Sequence, residues 1–533
     1  PFERSREDCC DTARHGPGGN AACWAGTFTF ARCCAAAGAA GGAVGDGVDV
    51  DFLEDAIEFH SAGKVNEKVL VVNGGRMNEL LVNRAEYVSN PAVRFDFGAA
   101  GRATGRVAIF VHRVPPCAGR RVLEKFRAAL AAPTRDTWAS FVRQQVQHLE
   151  ALDDAVLRSG AIVEDPAKAS VFYVPAFWSL LIEEILRIHG DFAEAAAAGK
   201  RGLAQEAREL LLEAETTGVE CVSHTFERLR GTPFYLRNAG YDHFWVAGIQ
   251  HPFNPIPRPA CHIESYDPFA KNMMVFAAGV RDHGYSDALF EWSVPLYAGL
   301  QRIFVPYSTK VNCRLLEALA RTPRRRQLAL AFVGSATSRV RHWTLELSRE
   351  AAFAADPRVR LRFGNVGEVQ AASRGEQGEW AGESNATRLY QQADFCLVLP
   401  GHLHDMTKRC YDAMAQGCLP VVITKHRFWM ALPFPSQVTW SDFALFRRVR
   451  SRDDLRGILE SLRELHEQGQ EEIRQRRLAL SANAGLFAAH DAAGCSAEER
   501  ATFPKLLLGE LKARQQIWPY IRSSWGFEEA EED

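Results

Sequence analysis

The sequence lacks any long hydrophobic run and any large excess of charge. No stretch approaches the ~18–20 consecutive apolar residues of a membrane helix. The 63 Lys and Arg residues nearly balance 65 Asp and Glu residues, and the net charge of −2 gives no reason to expect nucleic acid as a partner. The chain begins with Pro1 and shows no signal peptide, so we interpret it as a fragment or processed form.

Several well-known motifs are also missing. There is no CxxC pair, no GxGxxG loop, no DxD motif in a strand–turn position and no repeat of solenoid period. A metal site is therefore not expected. At 533 residues and 47% hydrophobic, the chain has an ordinary globular composition and is long enough for two or three domains with full cores.

Cysteine is plentiful, with 13 residues in all. Five of them crowd the first part of the chain: Cys9, Cys10, Cys23, Cys33 and Cys34. This crowding predicts a small module held by disulfides, with zinc as a weaker alternative because His15 is the only nearby histidine. Cys396, Cys410 and Cys418 instead occupy core-facing positions further along the chain, and we predict that they are buried thiols.

The segment 393–434 has the pattern of one βαβ unit. The runs 395–399 and 419–424 are short, apolar and bounded by breaker residues, which predicts two buried strands. A helix is predicted between them from about 405 to 416, and Gly417 can end it in a left-handed conformation. Strand, helix and strand with short joints indicate a parallel sheet.

The carboxyl edge of this unit is a candidate nucleotide site, because parallel sheets bind ligands there. Gly401 follows the first strand, and Arg409 and Asp412 share one face of the helix since they are three residues apart. A guanidinium can clamp a diphosphate, and a carboxylate can accept hydrogen bonds from ribose. The alternative is an ordinary surface ion pair between Arg409 and Asp412, worth well under ~1 kcal/mol.

A second anion-binding edge is predicted after the apolar run 327–333. Gly334 and Ser335 lead from this strand into a helix predicted over 338–353. The free N–H groups at a helix N-terminus favour phosphate. The pattern is not a GxGxxG loop, so by itself it is a weak signal.

Four segments resemble, in order and spacing, the C-terminal signature of the exostosin family of glycosyltransferases. They are FCLVLPG, RCYDAMAQGCLPVVIT, LPF and VTWSDF, all between residues 395 and 443. Three upstream segments, at 112–115, 165–175 and 242–246, are similar to further elements of that family. The resemblance favours donor binding over a surface ion pair for Arg409 and Asp412.

The sequence departs from the family pattern at several positions. Ser170 stands where aspartate is usual, and His251 is followed by proline where relatives have a His-Asp-Trp step. Val333 replaces the arginine expected at the end of its strand. The resemblance therefore implies that a phosphate-contacting arginine is either missing or supplied instead by Arg339 or Arg341, at the start of the next helix.

The resemblance covers about 105–465 and implies the α/β fold called GT-B, in which two Rossmann-like domains face one cleft. We predict five segments: a Cys-rich head with an Ala/Gly linker (1–50), a mixed segment of unknown role (51–104), an N-terminal Rossmann-like acceptor domain (105–310), a C-terminal Rossmann-like nucleotide-sugar domain (311–450), and C-terminal helices with an acidic tail (451–533).

The resemblance also implies an inverting glycosyltransferase that moves a hexose or pentose from a nucleotide-sugar, expected to be UDP-linked, to a glycan hydroxyl without a metal or other cofactor. The predicted donor-binding residues are Arg409, Asp412, Gly401, Gly334, Ser335 and Arg339. The candidate bases for the acceptor hydroxyl are Asp242, His243 and His251. A histidine beside an aromatic strand is equally typical of a hydrogen-bonded core group.

Two other functions stay open: a non-catalytic exostosin-like subunit or glycan-binding partner, and a nucleotide-sugar epimerase on the same fold. The expected partners are the donor, a glycan or glycoprotein acceptor, and another chain in a homo- or hetero-oligomer. The family's usual form is a type II Golgi protein, which implies a lumenal or secreted enzyme whose anchor is missing from this sequence. The sequon Asn385-Ala386-Thr387, in a predicted polar loop, agrees with a secretory compartment.

Overall fold

The computed structural model describes residues 105–130, 137–181, 184–185, 188, 191, 198–248, 270, 273–277, 302–307, 309–322, 325–336, 338–364, 383–400, 408–424, 433–434, 437–487 and 491–524. All of them fall within one unit of the chain, Leu53–Asp533. The predicted Cys-rich head and the segment 51–104 lie outside the described residues, and those predictions stay untested.

Short apolar runs of the first half form a six-stranded parallel sheet with the strand order β2-β1-β3-β4-β5-β6. Its strands are β1 (Ile109–Val111), β2 (Ile162–Val163), β3 (Val171–Tyr173), β4 (His243–Val246), β5 (Met274–Ala277) and β6 (Arg302–Phe304). Its helices are α1 (Arg120–Leu130), α2 (Thr137–Leu157), α3 (Arg201–Arg230) and α4 (Pro233–Arg237). The strands β3 and β4 are buried along their whole length, as strands covered on both faces must be.

The second half forms a five-stranded parallel sheet with the order β12-β11-β10-β8-β9. Its strands are β8 (Leu328–Gly334), β9 (Val359–Phe363), β10 (Ala393–Val398), β11 (Leu419–Thr424) and β12 (Leu445–Arg448). Its helices are α5 (Cys313–Arg321), α6 (Arg339–Arg349), α7 (Ala351–Ala354), α8 (Glu383–Gln392), α9 (Lys408–Met414), α10 (Arg452–Gln468) and α11 (Gln470–Ala482). The predicted α/β class with two parallel sheets is confirmed.

A short strand pair joins the start of the second half to a segment beyond it. The strand β7 (Lys310–Asn312) pairs in parallel with β13 (Asp491–Ala493). The helix α12 (Ala497–Ser524) follows and packs against α2 of the first half. The strand β13 interrupts what the sequence predicted to be helical throughout. Among the described helices, none is both long and apolar enough to cross a bilayer.

In the second sheet, successive strands are added first on one side of β8 and then on the other. From β8 the chain adds β9 on one side, whereas β10, β11 and β12 follow on the other side. The two central strands therefore send the chain to opposite sides at their carboxyl ends, which opens a crevice between them. Crevices at such a switch point are where open parallel sheets bind ligands.

The predicted βαβ unit is confirmed in its strands, since β10 pairs in parallel with β11. The helix α9 is described from Lys408, and residues 401–407, which contain Gly401, lie outside the described residues. Gly417 has a φ of +71°, the left-handed conformation predicted for the residue that ends the helix.

Two predictions about local chemistry are wrong. Cys396 and Cys418 are not thiols but a disulfide, while Cys410 is the predicted buried thiol. Cys396 lies on β10 and Cys418 directly before β11, so the pairing of these neighbouring strands brings their Cα atoms to 5.8 Å. The sequon at 385–387 lies within α8 rather than in a loop, because α8 starts at Glu383.

Candidate active site

The end of β8 is tied to the end of β10 by a capping residue. The hydroxyl of Ser338 donates a 2.7 Å hydrogen bond to the carbonyl of Pro400, and it accepts one from the backbone N–H of Arg341. Ser338 is thus the N-cap of α6 and also a bridge between the two strands that border the crevice. This double role fixes where the first turn of α6 lies.

Arg341 is almost fully buried at this bridge, at 4% exposure. Its Nη1 donates to the carbonyl of Ser335, and its Nη2 donates to the carbonyl of Leu399, each at 3.1 Å. Its guanidinium also lies 5.7 Å from the ring centre of Phe332. Backbone carbonyls from the two central strands therefore orient the cation.

Arg409 brings a second cation to the same place. It is the second residue of α9, it is half-buried, and it lines the crevice together with Arg341, Val333 and Tyr390. Burial, and secondarily the nearby charge of Arg409, lowers the pKa of Arg341 to about 10. Within the described part of the chain no carboxylate pairs with Arg409. Two adjacent cations that line one crevice favour the binding of an anion.

Asp412 does not form the surface ion pair that was the alternative for Arg409. Its carboxylate accepts hydrogen bonds from Nζ of Lys408, at 2.7 and 2.9 Å, and from the hydroxyl of Thr309, at 2.6 Å. Lys408 is one turn earlier on α9, and Thr309 precedes β7. Asp412 therefore links α9 to the segment between the two sheets.

The other predicted donor residues divide into two groups. Gly334 and Ser335 lie at the end of β8, beside Arg341 and Arg409, as the resemblance implied. Arg339, in contrast, is exposed and its guanidinium stacks 5.2 Å over the ring of Trp343. Of the two arginines considered as substitutes for Val333, the structure brings Arg341 and not Arg339 to the crevice.

Asp242 and His243 lie at the start of β4 and are fully buried. Nδ1 of His243 is 2.7 Å from Oδ1 of Asp242, and Nδ2 of Asn238 donates to Oδ2 of the same carboxylate. Nη2 of Arg237 lies 3.7 Å from Oδ2. These contacts fix the orientation of the Asp242 carboxylate and of the His243 ring. The third candidate base, His251, lies outside the described residues.

His112 is a member of this network that the sequence did not identify. It follows β1, and its Nε2 lies 3.0 Å from Nε2 of His243. Burial, and then the neighbouring His243, lowers the pKa of His112 to about 3, so this ring is neutral. In the sequence His112 only ended a predicted strand, and no local pattern could have indicated a partner 131 residues away.

A family model matches the part of the chain that contains these residues. The model of the exostosin GT47 domain matches residues 103–462. The matched range contains both large sheets, the crevice between β8 and β10, and the network of Asp242, His243 and His112. A comparison of the chain with curated proteins finds no match.

Proposed function

Because the chain belongs to the exostosin GT47 family of glycosyltransferases, we propose that it transfers a sugar from a UDP-linked donor to a glycan hydroxyl with inversion of the anomeric carbon. The donor diphosphate binds in the crevice between β8 and β10. The acceptor binds on the side of the first sheet. The reaction is a direct displacement in which the diphosphate leaves as the acceptor oxygen arrives.

The pair formed by Arg341 and Arg409 carries this proposal. A leaving diphosphate develops negative charge, and preorganised cations aimed at that charge lower the barrier. Arg341 is held in place by carbonyls of Ser335 and Leu399, so it needs no rearrangement when the donor arrives. Arg409 is free to form parallel hydrogen bonds with phosphate oxygens, since none of the described residues accepts a bond from it.

Asp412 binds the ribose of the same donor in this proposal. It lies one turn after Lys408 on α9, and its Oδ2 accepts one hydrogen bond, from Lys408. A carboxylate oxygen has two lone-pair sites, so Oδ2 can accept a further bond from a ribose hydroxyl. Lys408 and Thr309 would hold the carboxylate in position for that contact.

We further propose that the enzyme acts in the lumen of the Golgi or after secretion, on a glycan or glycoprotein acceptor. Three disulfides support an oxidising compartment, because such bonds persist there and are rare in the cytosol. They join Cys117 to Cys221, Cys313 to Cys495, and Cys396 to Cys418.

Isothermal titration calorimetry with UDP tests the donor site. Wild type should bind UDP, and Arg409→Ala and Arg341→Gln should each weaken binding by about tenfold or more, since a hydrogen bond to a charged group contributes ~1.5–3 kcal/mol. Arg339→Ala is the matched control, because that side chain is exposed and lies on the same helix as Arg341. It should bind like wild type.

Failure of wild type to bind either UDP or GDP would contradict the proposal and favour the alternative of a non-catalytic subunit. If UDP binds, a panel of UDP-sugars with glycan acceptors identifies the transferred sugar. The anomeric proton coupling of the product, measured by NMR, then shows whether the configuration is inverted. Retention would contradict direct displacement.

A further inference from the structure

Two of the three candidate bases for the acceptor hydroxyl, Asp242 and His243, are out of reach of an acceptor. Asp242 and His243 have no exposed surface, and they lie at the amino end of β4. Ligands of parallel sheets bind at the opposite, carboxyl end of the strands. A proton from a bound acceptor therefore cannot pass directly to either side chain. His112 connects them to the carboxyl end of β1.

The three side chains form one chain of hydrogen bonds. Nδ1 of His243 is 2.7 Å from Asp242, and Nε2 of His243 is 3.0 Å from Nε2 of His112. The two imidazole rings are stacked, with centres 5.0 Å apart and planes inclined by 23°. His112 and His243 reach each other across β3, where the ring of Phe172 lies 4.7 Å from that of His243.

The ionised carboxylate fixes the tautomers of both rings. Asp242 can only accept, so His243 carries its proton on Nδ1 and presents a lone pair at Nε2. That lone pair must accept from Nε2–H of His112, because a hydrogen bond between two nitrogens needs one proton. The neutral ring of His112 then has a lone pair at Nδ1. Within the described part of the chain, this Nδ1 has no hydrogen-bond partner.

Other groups around the network support this assignment. Asn238 donates to the second oxygen of Asp242, and Arg237 lies 3.7 Å from it, so both contacts are ones that a carboxylate acceptor makes. Aromatic rings of the described residues also pack against the two imidazoles: Phe110, Phe172 and Tyr235.

We propose that His112 takes the proton of the acceptor hydroxyl and passes its own Nε2 proton to His243. The inference rests on the proposed transferase function. The acceptor O–H bond breaks, its proton binds Nδ1 of His112, and the oxygen's electron pair forms the bond to the anomeric carbon. The pair of the broken sugar–phosphate bond leaves with the diphosphate. His243 becomes an imidazolium beside Asp242, and His112 stays neutral throughout.

The two histidines have different roles in this relay: His112 contacts the acceptor, and His243 holds the proton beside Asp242. His112 is 6% exposed and lies directly after β1, so it can touch an acceptor. His243 cannot, but it lies against the carboxylate that stabilises an additional proton. His112 is then the catalytic residue that contacts substrate, whereas Asp242 and His243 position it and store the proton.

Turnover of variants tests the relay. The substrate is the UDP-sugar that wild type uses, with UDP release as the readout. His112→Ala and Asp242→Asn should lower kcat by ~10²–10⁴-fold, the usual contribution of a general base, while UDP affinity stays unchanged. Free imidazole should restore part of the rate in His112→Ala but not in His112→Phe, whose side chain fills the space. His148→Ala, which alters another buried histidine of the first half, is the control.

The outcomes separate the relay from the function it serves. If wild type turns over no UDP-sugar and binds no UDP, the proposed function fails. If wild type is active and His112→Ala turns over at a similar rate, the relay is overturned. Loss of both UDP binding and turnover in His112→Ala would also overturn it, because the network would then be structural.

A second measurement needs no variant. In protein labelled with ¹⁵N at histidine, the chemical shifts of the ring nitrogens distinguish protonated from bare nitrogen. His112 must carry its proton on Nε2, and His243 must carry its proton on Nδ1. A proton on Nδ1 of neutral His112 would leave no lone pair for the acceptor and would overturn the proposal.

Discussion

The guanidinium of Arg409 occupies the space beside Gly334. A Cβ atom at position 334 would lie 3.1 Å from Nη1 of Arg409 and 2.7 Å from Cζ of Phe332. Glycine at the end of β8 therefore allows the second cation to approach Arg341. The lack of a side chain at Gly334 therefore contributes to the proposed anion site, as do the charges of Arg341 and Arg409.

Gly334→Ala should consequently weaken donor binding without removing any charged group. The added methyl group displaces Arg409 or Phe332, and we expect UDP affinity to fall about tenfold, or ~1.4 kcal/mol, by calorimetry. Gly202→Ala is the control, because nothing lies within 4 Å of a Cβ at that position on α3. Equal UDP affinity in wild type and Gly334→Ala would show that Arg409 does not contact the diphosphate.

Asp412→Ala should distinguish ribose from phosphate. If Oδ2 of Asp412 accepts from a ribose hydroxyl, the variant loses about tenfold in affinity for UDP but keeps its affinity for inorganic pyrophosphate. Thr309→Val is the control, since it removes one contact of Asp412 and leaves the carboxylate held by Lys408. A parallel loss of UDP and pyrophosphate binding would instead mean that Asp412 only maintains the shape of α9.

Asp394, at the start of β10, should contribute to the free energy of unfolding but not to UDP affinity. It is fully buried, it accepts a bond from Arg477, and Nδ1 of His466 lies 2.5 Å from it. Burial lowers the pKa of Arg477, so that cation depends on the carboxylate. Asp394→Asn should lower the free energy of unfolding by ~3–5 kcal/mol.

Urea denaturation measures this loss. The control is Asp453→Asn, which alters a carboxylate that is 82% exposed and should change stability by well under ~1 kcal/mol. UDP affinity of Asp394→Asn should equal that of wild type, because β10 separates this network from the crevice at its other end. A change in UDP affinity would contradict the placement of the donor site.

His112 should make the protein sensitive to acid. The pKa of His112 is about 3 in the folded protein, against an ordinary value of 6.5 for histidine, so the unfolded chain binds more protons between these limits. Stability is therefore full above pH 6.5 and declines as the pH falls through that window, by up to ~1.4 kcal/mol per pH unit from this one group. The titratable and charged groups around it are His243, Asp242 and Arg237.

Unfolding in urea at a series of pH values from about 7 to about 4 tests this dependence. His112→Phe should show a shallower decline than wild type, since its side chain cannot be protonated. His148→Ala, which leaves His112 in place, should retain the wild-type steepness. Identical slopes for wild type and His112→Phe would mean that His112 titrates alike in the folded and unfolded protein.

Removal of the disulfide between Cys396 and Cys418 should lower stability more than removal of the buried thiol. The bond closes a loop with a sequence separation of 22 residues, for which the loss of chain entropy predicts about 3 kcal/mol. The double variant Cys396→Ala and Cys418→Ala can be compared with Cys410→Ala by differential scanning calorimetry. A smaller decrease in Tm for the double variant than for Cys410→Ala would contradict a disulfide between Cys396 and Cys418.

The features that sequence patterns predicted are local ones. The run 419–424 is a strand with those same ends, and 395–399 differs from β10 by one or two residues at each end. Short apolar runs of this kind, bounded by Pro and Gly, are typical of buried strands. The helix after β8 was also predicted, and its start at Arg339 confirms that prediction closely. These agreements follow from short-range sterics and burial.

The features that sequence patterns missed depend on distant neighbours. Arg339 and Arg341 both lie in the first turn of α6, and only packing against Phe332 and the end of β10 determines which of them turns inward. His112 meets His243 because β1 and β4 lie on either side of β3. Cys396 meets Cys418 because β10 and β11 are neighbours. None of these relations has a periodic signal along the chain.

The pairing of β7 with β13 has a consequence for oxidative folding. Cys313 must remain reduced while 182 further residues are synthesised, whereas Cys396 and Cys418 emerge later and are only 22 residues apart. β7 ends immediately before Cys313, and β13 ends two residues before Cys495, so the strand pair brings these two sulfurs together. The bond at Cys313 is therefore the last of the three to close. If the strand pair cannot form, the thiol of Cys313 stays free to undergo thiol–disulfide exchange with the bond between Cys396 and Cys418, which has formed earlier.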